Sequence, residues 1–255
     1  MSSSISQTVR ELAEPKLAEF TAKLIPTVDP ARILGVRMPA LRKLAKKLLR
    51  EHPQEVAEFM ATVPHDFQEE DLLHVLLLNE ERDFAAWHAE ITDFLPYMTN
   101  WTLTDAVSPA CAKGGKAANL PKLERSCLDW MLDDRVYVQR LGVVVLMSLL
   151  STESFSPEHL QAVAALAGSE EYYVRVAVAW YFAEALARQE GAALPWFALA
   201  DSSGSTDSPG LPAVTLRIAI TKAIDSRRIP DGLKAELRQI RSTLPAVPRL
   251  CSERF

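Results

Sequence analysis

An all-α chain of stacked two-helix units, curling into a solenoid (an α-α superhelix) with a concave face, is the fold class the sequence predicts. Three observations predict it. Apolar residues recur at helical spacing along most of the chain, with no convincing alternating strand. Only nine glycines are present, which argues against an α/β enzyme with glycine-rich phosphate loops. Connections between the periodic stretches are short, as expected where antiparallel helix pairs stack. With 255 residues and 48% hydrophobic content, the chain can bury a sizeable core as one large domain or a repeat array.

The periodicity predicts helices over 5–25, 39–51, 53–62, 68–79, 83–94 and 100–112 in the first half. In the second half it predicts 120–132, 134–150, 157–167, 170–188, 212–226 and 231–241. Pro39, Pro53, Pro121 and Pro157 fall in first-turn positions, where the missing N–H does no harm. Pro109, inside the 100–112 stretch, is expected to kink or end that helix. The pairs at 120–150 and 157–188 look related. Each has a helix, an acidic-aromatic turn and a long apolar helix, the turns being DDRVYV from Asp133 and SEEYYV from Ser169. An arginine follows each turn closely, Arg140 and Arg175. A two-helix unit recurring at about 35 to 40 residues is the mark of HEAT-like repeats; an irregular bundle with coincidental similarity is the alternative. A single HEAT-like domain is expected over 1–243. The polar, turn-rich stretch 201–212 should be a mobile loop, and the two-proline tail 244–255 should fray.

Composition narrows the function. Net charge is −5, but residues 1–50 carry a local balance of +6 and the remainder −11, which permits a basic surface on an acidic protein without demanding one. The three cysteines, Cys111, Cys127 and Cys251, include no CxxC and fit reduced cytosolic thiols. The N-terminal stretch lacks the apolar core of a signal peptide, and the longest apolar run, Val143 to Leu150 with one serine, is too short to span a bilayer. A soluble cytoplasmic protein without membrane contact is therefore expected. No HExxH, GxSxG, phosphate-binding GKS/GKT or dinucleotide fingerprint is present, and the five histidines show no metal-ligand spacing, so neither a metal nor an organic cofactor is expected.

What chemistry remains centres on Trp101-Thr102-Leu103-Thr104-Asp105. Residues four apart share a helix face, so a carboxylate and an indole would point at the same target. Such a pair suits a cationic, sugar-like species, because the indole offers a π-face and the acid a compensating charge. It is equally readable as the inner edge of an ordinary helix. Arg140 and Arg175 could form a ladder for phosphates or pair with the acidic turns beside them. Helix 39–51, following Gly35-Val36-Arg37-Met38, buries a stripe of Leu41, Leu44, Ala45 and Leu48 and spreads Arg42, Lys43, Lys46, Lys47 and Arg50 over the rest. A charge run of this kind is most often a solvated face. Trp180, in a long apolar helix, reads by default as core.

The strings GVRMPALRKLAKKL, NWTLTD, VQRLGVVVLM, EEYYVRVAVAW and KAIDSRRI, in that order over roughly residues 8 to 241, resemble the DNA alkylation repair family of AlkD-like proteins. The resemblance implies a HEAT-like solenoid and alkylpurine DNA glycosylase activity on duplex DNA with alkylated bases. It implies Asp105 as catalytic carboxylate, Trp101 and Trp180 as aromatics holding the lesion nucleotide, and Arg140 as a contact near the lesion. Arg37, Arg42, Lys43, Lys46 and Arg175 are then expected on the DNA backbone. A cationic N3- or N7-alkylated purine needs no general acid to leave, so one carboxylate stabilising an oxocarbenium-like sugar and orienting water is enough. A monomeric, monofunctional glycosylase is expected. The alternatives are a non-catalytic binder of distorted or branched DNA and a protein–protein scaffold.

Overall fold

The computed structural model describes residues 4–113, 117–200 and 209–245. Among the described residues the structure is all-α, with fourteen α-helices, short 3-10 turns and a lone bridge between Leu199 and Leu211. None of these helices is long and apolar enough to cross a membrane. The chain divides after Asn119 into two compact units. Most of the expected loop at 201–212 and nearly all of the expected tail lie outside the described residues.

The first unit holds α1 (Ser4–Glu11), α2 (Pro15–Leu24), α3 (Met38–Glu51), α4 (Pro53–Met60), α5 (Gln68–Leu78), α6 (Phe84–Phe94) and α7 (Trp101–Thr104). Helix α5 is its axis, packed by α1, α3, α6 and α7, and every one of its residues is buried. Its C-terminal half, Leu72 to Leu78 around His74, supplies the apolar mass, at about 1.5–3 kcal/mol for each leucine buried. Its N-terminal turn is acidic and yet buried. Glu69 accepts from the amides of Leu34 (2.9 Å), Gly35 (2.7 Å) and Val36 (3.3 Å). Glu70 accepts from those of Asp66 and Phe67, and Asp71 pairs with Arg32 at 3.2 Å. Directed donors and the positive end of the helix dipole replace the water that Glu69 gave up, but only part of what Glu70 and Asp71 gave up: Glu70 Oε1 has no hydrogen-bond partner among the described residues, and burial outweighs Arg32 at Asp71.

The second unit holds α8 (Leu120–Met131), α9 (Val136–Leu146), α10 (Glu158–Ala164), α11 (Tyr172–Arg188), α12 (Glu190–Ala193), α13 (Ala213–Asp225) and α14 (Asp231–Thr243). Here the predicted repetition is visible. Helices α8 and α9 form one pair and α10 and α11 the next; α9 packs on α11, and α11 on α13. The two intra-pair turns share a device: the Asp133 side chain accepts from the Arg135 amide (2.8 Å), and that of Ser169 from the Glu171 amide (3.2 Å). Tyr137 and Tyr173, one per repeat, meet with ring centroids 5.5 Å apart. Gly142 lets α9 close on α8, since a Cβ there would stand 2.6 Å from the Cys127 carbonyl oxygen.

Two predicted helices are broken. The stretch 5–25 is α1 and α2, separated at Glu14, which is extended before Pro15 (φ −123°, ψ 104°) because the proline ring disfavours a helical residue ahead of it. The stretch 100–112 is helical only through Thr104, well before Pro109. There Asn79 takes over: its side chain donates to the Ala106 carbonyl (2.8 Å) and accepts from the Ser108 amide (2.7 Å), drawing the chain out of the helix. Residues 134–150 tighten into a 3-10 turn from Met147 onward, and the short α12 was not anticipated from periodicity.

Candidate active site

Four residues of α7 would be marginal alone, and side chains from outside the helix hold it. Asn100 is extended, and its Oδ1 accepts from the amide (3.0 Å) and the hydroxyl (2.5 Å) of Thr102. Gln68, the first residue of α5, donates to Thr102 Oγ1 (2.9 Å) and accepts from Asn100 Nδ2 (2.8 Å). Gln68 and Asn100 are both buried, so this amide pair ties α7 to the axis of the unit.

Trp101 is fixed by its edge. Its indole N–H donates to the Leu24 carbonyl (3.0 Å) at the end of α2, and the ring packs against Ile25, Val28 and Ile33. Asp105 ends α7 in helical conformation, its amide donating to the Trp101 carbonyl (3.0 Å), so the i, i+4 relation survives although the helix stops. The Thr104 hydroxyl donates to Asp105 Oδ1 at 3.1 Å. Trp101 and Asp105 are both half-buried, and both line one groove of about 500 Å³. Val36, Met38, Leu72 and Ala106 give it apolar walls, and Arg37 and Arg42 stand beside it.

The loop ahead of α3 forms the facing wall. Gly35 takes φ +76°, and a Cβ would fall 2.3 Å from the Ala18 nitrogen, so only glycine fits between α2 and the loop. Glu69 holds the loop from below through the three amides already described. Arg37 leaves it exposed, paired with Glu14 through two bonds of 2.7 and 2.8 Å. This pairing raises the arginine's already high pKa and lowers that of the Glu14 carboxyl, the hydrogen bond being the main cause on both sides.

A second depression, of about 450 Å³, shares Arg42 and Ala106 with the first and adds Lys46 and Lys113. The Lys113 ammonium donates to the carbonyl (3.0 Å) and hydroxyl (2.5 Å) of Ser108. Lys43 is exposed on α3 but lines neither depression.

The remaining expected site residues lie in the second unit. Trp180 is half-buried on α11. Arg140 and Arg175 are buried, and they do not sit at matching places. With Asp133 aligned to Ser169 and Tyr137 to Tyr173, Arg175 aligns with Gln139 and Arg140 with Val176. Arg140 Nη1 crosses to the Tyr173 carbonyl of the next repeat (2.8 Å), whereas Arg175 Nη1 folds back to the Ser169 carbonyl of its own turn (2.6 Å). Asp133 is taken by Arg135, at 2.7 Å. In this arrangement the two guanidiniums tie turns together and present little surface to a phosphate.

Sequence reasoning missed Gln68, Glu69, Asn100 and Lys113. Asn100 was findable, because asparagine directly before a helical pattern is a favoured cap. Gln68 and Glu69 gave no local signal, since their partners lie more than thirty residues away in sequence.

An all-α protein of repeated helix pairs, with an acid–tryptophan groove flanked by cations in its first unit, is the class that fold and site define. A family model described as DNA alkylation repair enzyme matches residues 5–222, and the chain belongs to that family. Membership implies a role in the repair of alkylated DNA, with DNA as the partner. A search of curated proteins gives no match.

Proposed function

We propose that the chain is a monofunctional DNA glycosylase that hydrolyses the N-glycosidic bond of cationic N3- or N7-alkylated purines in duplex DNA, leaving an abasic site. The observation that carries this reading is the shared groove of Asp105 and Trp101, lined by apolar walls and two arginines, in which the other carboxylate, Glu69, is taken up by the amides of the loop before α3. The alkylated base is already positively charged, so the bond between C1′ and the base nitrogen breaks with its electron pair passing to the base, which leaves neutral. Positive charge then develops on the sugar, where a half-buried carboxylate acts more strongly than one in bulk water. Asp105 stabilises that sugar cation and orients the water that adds to C1′; the water's proton passes to the carboxylate and on to solvent. Trp101 gives the nucleotide an aromatic surface, and its pinned N–H keeps that surface from shifting. Arg37, Arg42, Lys43 and Lys46 neutralise backbone phosphates, with Lys113 added from the second depression.

The test is base release from a duplex containing one N7-methylguanine, with wild type beside Asp105→Asn. Wild type is expected to release the base. The amide should lower release by about a hundredfold or more, as for loss of a principal electrostatic group, with DNA binding retained. Equal release by both proteins removes Asp105 from the mechanism. No release by wild type, here or from bulk methylated DNA, rejects the glycosylase and leaves a non-catalytic DNA binder.

A further inference from the structure

The first unit also holds a cavity larger than the Asp105 groove. It lies between α4, the end of α5 and the outer side of α6, and has a volume of about 700 Å³. Its floor and one wall are apolar, made by Val56, Ala57 and Met60 of α4 with Leu77 and Phe94. Its rim is acidic: Glu80, Glu81, Glu90 and Asp93 against the single cation Arg82.

Two features separate this from an ordinary acidic surface. Among the described residues the side chains of Glu80, Glu90 and Asp93 make no hydrogen bond or ion pair, whereas Glu81 is engaged by the amides of Arg82 and Asp83. Glu90 is exposed, yet partial desolvation, with Glu81 nearby, holds its carboxyl above its usual range, a cost that an arriving cation would relieve. The second feature is His74. Its side chain is only 4% exposed, yet it lines the cavity. Stacking on Phe94 (centroids 4.0 Å apart) fixes the ring, and Nδ1 is engaged by His65 Nε2 at 3.0 Å. That leaves Nε2 as the open position, and among the described residues no hydrogen bond reaches it. Burial, reinforced by His65, pushes the His74 pKa down to about 3, so the imidazole is neutral. When its Nδ1–H donates to His65, its Nε2 lone pair is free to accept a proton donor.

We infer that this cavity is a binding site for a small aliphatic polyamine, whose methylenes lie on Val56, Ala57 and Met60 while its ammonium groups meet Glu80, Glu90, Asp93 and His74 Nε2. Apolar surface on one side and unpaired carboxylates on the other match a flexible chain of alternating methylene runs and cations. A hydrated metal ion would leave the apolar wall unused. The volume falls in the range typical of small-molecule sites. The inference is independent of the glycosylase reading, because no residue of the Asp105 groove takes part.

The test is calorimetric titration of the full chain with spermidine, in the absence of DNA and with magnesium chloride as competitor. Saturable binding to one site is expected, with magnesium at equal charge failing to displace it. Glu90→Gln combined with Asp93→Asn should weaken binding at least about tenfold. Ala57→Trp, which fills the cavity and keeps every charge, should abolish it, far-UV circular dichroism showing that both variants are folded. The inference is overturned if no saturable heat appears, if magnesium competes at equal charge, or if Ala57→Trp binds like wild type. Binding of a lysine-rich peptide without binding of spermidine overturns it as well.

Discussion

At Asp105 and its neighbours, individual side chains decide what the groove can do. The helix that carries the acid is one turn long, yet the tryptophan-to-aspartate relation holds because the Asp105 amide still reaches the Trp101 carbonyl. The exposed cations act differently, through charge alone. Lys46→Ala should weaken DNA binding by a similar factor on alkylated and normal duplex, and should lower the salt dependence of log K by about 1. Affinity measured over a series of salt concentrations checks this; an unchanged slope takes Lys46 off the phosphate backbone. Arg140 and Arg175 are poor subjects for that experiment, since both guanidiniums hold carbonyl oxygens of their own unit.

Two helices show how elements hold their shape through contacts that composition does not announce. Helix α5 presents the Glu69 carboxylate to the loop before α3, and that single group orders the amides of Leu34, Gly35 and Val36. Glu69→Gln replaces a charged acceptor with a neutral amide that must turn one N–H toward other N–H groups. It should cost about 2–4 kcal/mol in denaturant unfolding. It should also speed hydrogen exchange at Gly35 and Val36; unchanged exchange at those amides would show that the loop holds itself. Helix α11 carries the opposite case. The Tyr181 hydroxyl is fully buried and, among the described residues, has no hydrogen-bond partner. Removing an unsatisfied polar group relieves a desolvation cost, so Tyr181→Phe should raise stability by up to about 1 kcal/mol. A lower melting temperature would mean that the hydroxyl has a partner.

For the whole molecule, acid stability follows from three buried groups of the first unit. Burial pushes the His65 and His74 pKa values down to about 4 and about 3 from the ordinary 6.5. Burial also raises Asp71 from 3.8 to about 7, outweighing the Arg32 guanidinium 3.2 Å away, with Glu70 and Glu69 adding to the rise. Between about pH 6 and about pH 4.5, therefore, the unfolded chain binds two protons on the histidines and the folded chain binds one on Asp71. The lowered histidines contribute stability that is present above 6.5 and lost as pH falls. The raised aspartate contributes in the opposite sense, its stability being lost as pH rises toward 7. The net of one extra proton on the unfolded chain makes these groups lower stability by about 1.4 kcal/mol for each unit of falling pH. Asp71→Asn removes the native proton and should roughly double that slope. Denaturant midpoints at stepped pH check this, and an unchanged slope would mean that Asp71 is ionised in the folded state.

The sequence by itself determined the helical class, most helix positions, the repetition of α8–α9 in α10–α11 and the family. The first three depend on apolar spacing, turn residues and proline, which act within a few residues of chain; the family rests on motif strings kept in order along it. The Trp101–Asp105 pair and the basic face of α3 were legible for the same reason. Tertiary structure alone decided why α7 stops at Thr104 and what becomes of the charges. Glu69, Asp71, Arg140 and Arg175 look like solvated residues in a local window. Glu69, Arg140 and Arg175 are buried because donors and acceptors from distant segments, or from a neighbouring turn, converge on them; at Asp71 the partner falls short, and the carboxyl holds its proton instead.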